Sequence, residues 1–159
     1  MISKRDRIKE AVRSDMVDPA FRERLMLTVT EVNQCRYYRA FHVRQAYQVG
    51  LSDGEVLSFT QGNLPQTIPE DQRLAVLYAR SWAVGNGKAE TGFDDQLLEA
   101  YGEDGFDAIE IILRMIRMGN LLGNTWDFIL YCLSIGRWGV QSNRIASVYS
   151  HGFRETTEL

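Results

Sequence analysis

Four side chains able to do chemistry fall within one stretch, Glu23 to His42, which reads ERLMLTVTEVNQCRYYRAFH. Cys35, Tyr38 and His42 recur at i, i+3 and i+7, a spacing that places them on one face of a helix. Glu23 lies on the preceding helical segment, which is long enough to fold back beside the second. A deprotonated thiol attacks a peroxide oxygen, an imidazole and a carboxylate pass protons, and a phenol donates a proton or stabilises an anion. The stretch therefore reads as a thiol site or as an acid/base site.

The elements that must position these groups are helical. Spacings of three and four recur along the chain while strand-like alternation is almost absent, so an all-α fold is predicted. Residues 3 to 13 read as a short basic helix. Asp18 and Pro19 give an N-cap and first-turn signal for the next one. There Phe21, Leu25, Thr28, Val29 and Val32 form one stripe and Glu23, Met26, Leu27 and Thr30 a second, so this helix is expected to be packed on two sides. Asn33 and Gln34 break it, and a new helix runs from near Cys35 to Gly50.

Ser52 to Glu55 reads as a capping box opening a short helix. The following helix, begun at Pro69-Glu70-Asp71, is expected to turn Leu74, Leu77, Tyr78 and Trp82 inward until Gly85-Asn86-Gly87 ends it. A short helix from Phe93 stops at Gly102. Another starts near Phe106, with Phe106, Ile109, Leu113 and Ile116 on one side and Asp107, Glu110, Arg114 and Arg117 on the other. In MGNLLGNTWDFILYCL, Gly119 and Gly123 at i, i+4 suit close helix packing, and Asn120 and Asn124 suit caps or hydrogen bonds between helices. Tyr37, Phe41 and Cys132 read as core, and His151 as an exposed residue of an aperiodic tail.

Composition removes several function classes. With 159 residues and 45% hydrophobic content, one domain over 1–159 is expected: a helix and link over 1–17, a core over 18–135 and a tail or arm over 136–159. The net charge of −3 and the acidic residues among the N-terminal Lys and Arg argue against nucleic-acid binding. No secretory signal and no membrane span is read, so a soluble, cytoplasmic protein with reduced thiols is expected. Two histidines and two cysteines without H-x-x-x-H or C-x-x-C give no metal site, and the absence of glycine-rich phosphate loops gives no nucleotide cofactor.

A Glu well ahead of Asn33-Gln34-Cys35, with a His seven residues after that Cys, resembles the carboxymuconolactone decarboxylase superfamily, more closely its alkyl hydroperoxidase D-like branch. The segments GLSDGEV, AVLYARSWA and MGNLLGN also look like this family, so the resemblance covers roughly residues 18–135. It implies a compact all-α bundle whose subunits form trimers or hexamers with the site near an interface. It also implies peroxidase or thiol-oxidoreductase activity of an antioxidant kind, with Glu23 and His42 in a proton relay beside Cys35.

That branch carries C-x-x-C-x-x-x-H, and the position of its second cysteine, the one that attacks the peroxide, is here Tyr38. A phenol cannot form a sulfenic acid, so the dithiol cycle cannot run unchanged. One repair makes Cys35 the reactive thiol, aided by a helix N-terminus and resolved by Cys132 or an outside thiol. A second makes the chain a non-redox lyase or isomerase on a small carboxylated substrate, with His42 as base or acid, Glu23 as relay and Tyr38 as proton donor, as the superfamily's decarboxylases work without the cysteine pair. A third is a non-catalytic oligomeric binding protein.

Overall fold

The computed structural model describes residues 17–138. The helix expected over 3–13, most of the 136–159 tail and His151 lie outside them. Among the described residues there are five helices and no strand: α1 Pro19–Val32, α2 Arg36–Gln48, α3 Asp53–Thr60, α4 Glu70–Val84 and α5 Phe93–Leu133. The all-α expectation holds. No helix among them is long and apolar enough to cross a membrane.

Helix α1 lies at the centre and packs against each of the other four. Its start follows from Asp18, whose Oδ1 accepts from the Ala20 and Phe21 N–H groups at 2.8 and 3.0 Å. Both stripes of α1 are buried, Val32 only partly, because all four other helices pack on it. A helix packed all round can hold a carboxylate such as Glu23 away from water.

Gln34 adopts φ +52 and reverses the chain, and α2 follows with Cys35 at its N-cap. The capping box is half made: Ser52 Oγ accepts from Glu55 N–H at 3.3 Å, while the Glu55 carboxylate turns inward to Arg24 at 2.6 Å. Arg24 also donates to Gln72 at 2.9 Å, which ties α1 to both α3 and α4.

Two sequence expectations need correction here. Leu77 on α4 is exposed, and Ala75, Val76, Ala79 and Ala83 fill the inner face beside Tyr78 and Trp82. The small side chains let α4 approach its neighbours, which turns the inward face away from Leu77. Glu110, placed on the charged face, is instead buried: its Oε1 accepts from the Tyr78 hydroxyl at 2.7 Å, and Arg114 pairs with its Oε2 at 2.5 Å. Gly102, at φ +68 and ψ 178, a conformation suited to glycine, breaks the helical backbone where the first of the two expected helices should stop, so α5 is those two helices joined across a kink.

The two tyrosines that fasten α5 to α4 have a measurable consequence. Burial and the Glu110 hydrogen bond push the Tyr78 hydroxyl well above the ordinary tyrosine value, and burial with the nearby Asp71 pushes Tyr101 up to about 12. Between about 10 and 12 an unfolded tyrosine has released its proton while these two keep theirs. The unfolded chain then binds fewer protons, so stability falls as pH rises through that window and is fully present below it. Phenolate absorbance during an alkaline titration should show two late tyrosines that ionise together with the loss of helix. Tyr78→Phe should remove one of them.

Candidate functional site

Glu23 and His42 meet in the interior. The chain reversal at Asn33–Gln34 lays α2 along α1, and His42 Nδ1 lies 2.7 Å from Glu23 Oε2, with the two residues 4% and 5% exposed. In the arrangement where Nδ1–H donates to the carboxylate, the tautomer is fixed and Nε2 carries the lone pair. Such a pair holds an imidazole ready to take or return a proton.

Tyr38 stands one turn before His42, its ring stacked on the imidazole at a centroid distance of 5.9 Å and an interplanar angle of 28°. Phe41 meets the imidazole edge-on at 5.1 Å. Tyr38 is partly buried, whereas Phe41 and Tyr37 are exposed, contrary to their reading as core. Phe41 is 55% exposed, and Tyr37, 40% exposed, reaches α5 only through its hydroxyl end and ring edge.

The glycine pair of α5 explains where the α2 side chains rest. A Cβ at Gly119 would overlap the end of the Tyr38 ring, and one at Gly123 would lie 2.7 Å from Cys35 Sγ. Gly119 and Gly123 therefore seat Tyr38 and Cys35 one helical turn apart on the same helix. The expectation of close helix packing holds, and its object is these two side chains. Around the seat, Asn124 Nδ2 donates to the Asn33 carbonyl at 2.8 Å, and the buried Asn120 reaches Thr30 Oγ1 at 3.3 Å. Both asparagines join helices, as expected.

Cys35 is at the helix N-terminus as the sequence suggests, but it is 0% exposed. Its sulfur is sealed between α1, α2 and α5. Cys132, read as core, is instead exposed. It follows Gly123 by nine residues on the same helix, a rise of about 13 Å, whereas disulfide geometry needs the two Cα atoms within ~7 Å. Without movement, Cys132 cannot resolve an intermediate on Cys35. A maleimide or disulfide reagent should thus modify Cys132 rapidly and Cys35 only after unfolding, giving one fast thiol per chain in the native protein and two in denaturant.

A second polar cluster borders the site and was missed in the sequence. Asp127, buried within the apolar WDFILY run, accepts from Arg36 at 2.5 Å and from the Tyr37 hydroxyl at 3.0 Å. Hydrogen bonds to Tyr37 and then to Asp127 hold the Arg36 guanidinium even more firmly protonated than usual. The signal was available: a lone carboxylate in an apolar helical run calls for a cation on whatever packs there. The cluster clamps the first turn of α2, and with it Cys35, onto α5.

Family models, curated proteins and solved structures were each compared with the chain, and none matches. Fold and site define an all-α chain with a buried carboxylate–imidazole pair. Among the described residues no cluster of three or more His, Cys, Asp or Glu is arranged to hold a metal ion.

Proposed function

We propose that this chain is an alkyl hydroperoxidase D-like protein of the carboxymuconolactone decarboxylase superfamily, in which the Glu23–His42 proton relay persists and the dithiol cycle is broken at Tyr38. The observation that carries this reading is the 2.7 Å contact between two buried residues that the resemblance assigns to the relay. Its partners are further copies of itself, as trimers or hexamers, and a small peroxide or carboxylated molecule.

In this reading Glu23 orients His42 and stabilises the imidazolium that forms when Nε2 takes a proton. Cys35 supports the helix junction. Peroxide consumption with a dithiol donor tests the thiol part: wild type and Cys35→Ser should both run at the uncatalysed rate. A wild-type rate that Cys35→Ser abolishes would make Cys35 a working nucleophile and overturn this division of roles.

A second reading, acid/base chemistry on a small carboxylated substrate, is favoured by the sealed thiol together with the Tyr38 ring stacked on His42. There His42 is the base or acid, Glu23 its relay and Tyr38 the proton donor. In a panel of small lactone and keto carboxylates, turnover lost in His42→Ala and kept in Cys35→Ala would support it. The reverse pattern would reject it.

A further inference from the structure

The chain reversal between α1 and α2 is held at a cost. Gln34 keeps φ +52, a left-handed conformation that glycine adopts freely and other residues do not. Among the described residues, the three buried side-chain polar atoms that make no hydrogen bond all lie at this one place: Asn33 Nδ2, Arg39 Nε and Glu31 Oε2. The last touches Arg39 Nη2 at 2.7 Å, as an ion pair only. Each such atom has given up water without a full replacement, and opening the junction restores it.

Little apolar burial opposes that release. Of the 13 residues of α2 only His42 and Ala46 are buried, and its first turn, Arg36 to Arg39, buries none. Among residues 31–39 Cys35 is the one buried side chain that must come out. Polar contacts to α5 fasten the turn instead: Asp127 with Arg36 and Tyr37, and Asn124 Nδ2 with the Asn33 carbonyl. The Arg36 side chain is half exposed, so water replaces the carboxylate at its guanidinium with little loss.

We propose that this junction, residues 33–39, opens as a local gate while the rest of the bundle stays folded. Opening carries Cys35 off Gly123 and Tyr38 off Gly119, and it lifts the Tyr38 ring from the imidazole on which it stacks. His42 stays in place, anchored one turn further along by its contact with Glu23, while one face of its ring is uncovered. A proton-transfer residue that is 4% exposed needs such a path to meet a small molecule. The unfolding that frees the Cys35 thiol is then local and not global.

The opening does not rest on the proposed chemistry; only its use as an entry to the proton relay does. In the full chain carrying Cys132→Ser, the rate at which an aromatic disulfide reagent modifies Cys35 reads it. Below the unfolding transition that rate should rise with urea much less steeply than the unfolding constant followed by circular dichroism, because the junction exposes a small part of the surface that unfolding exposes. Arg36→Ala should speed the reaction at least about tenfold by releasing the clamp, and Asn33→Ala should slow it a few-fold by removing a buried amide without a partner. Ile112→Val, in the core, should leave it unchanged while weakening global stability roughly fivefold. In a His151→Gln chain, diethyl pyrocarbonate should acylate His42 at a rate that follows the same variants. A Cys35 rate that tracks global unfolding in urea and in Ile112→Val, a rate indifferent to Arg36→Ala, an Asn33→Ala chain that reacts faster, or a His42 that stays unreactive while Cys35 is modified would each overturn it.

Discussion

Glu23→Ala is expected to lower the unfolding free energy by about 3 kcal/mol, a fall in midpoint temperature of roughly 10 °C for a chain of this size. The cause is the residue left behind. His42 is 4% exposed and its Nδ1 would face a void in place of a carboxylate, so the ring would lose its partner without gaining water. Alanine's better helix propensity offsets only a few tenths of a kcal/mol. Glu23→Gln supplies the discriminating control: its side-chain carbonyl still accepts from Nδ1–H, so its cost should be about 1 kcal/mol. Thermal melts of the three proteins check both values. Equal losses in the alanine and glutamine variants would mean that packing, and not the hydrogen-bonded pair, sets the stability of this site.

The second large effect is a gain. Tyr38→Cys should raise peroxide consumption with a dithiol donor at least about a hundredfold over the wild type, the lower range of what a positioned proton relay contributes. The new thiolate would attack one peroxide oxygen, breaking the O–O bond to give a sulfenic acid and an alcohol that takes a proton through His42. Cys35 would then displace water from the sulfenic acid to form a disulfide, and the external dithiol would reduce it. The positions suit this sequence of steps. Residues 35 and 38 rest one turn apart against Gly123 and Gly119, and replacing the phenol ring by a thiol opens space directly over Gly119 beside the imidazole.

Much of the fold is legible in the sequence because α1 and α2 carry complete signals. Asp18-Pro19 starts α1, two stripes announce burial on both sides, and Asn33-Gln34 reverses the chain. Together these place Glu23 opposite His42. The resting places of Cys35 and Tyr38 are partly legible, since Gly119 and Gly123 announce a close approach without saying what approaches.

The exposed positions of Tyr37, Phe41, Leu77 and Cys132 are not legible. Apolar character states what a side chain gains by burial, and only the arrangement of neighbouring helices decides which face has anything to pack against. Glu110 and Asp127 are the mirror case: each carboxylate is buried because one partner, Tyr78 or Arg36, reaches it from a helix distant in sequence.

The claim on which the rest depends is that the buried Glu23–His42 pair serves the position occupied by Tyr38. Its most direct measurement is the initial rate of peroxide consumption by Tyr38→Cys compared with Tyr38→Cys/His42→Gln, both verified as folded by circular dichroism. A rate in the single variant that falls about a hundredfold in the double variant is expected. Equal rates in the two proteins, or no rate above the wild type in the first, would contradict it.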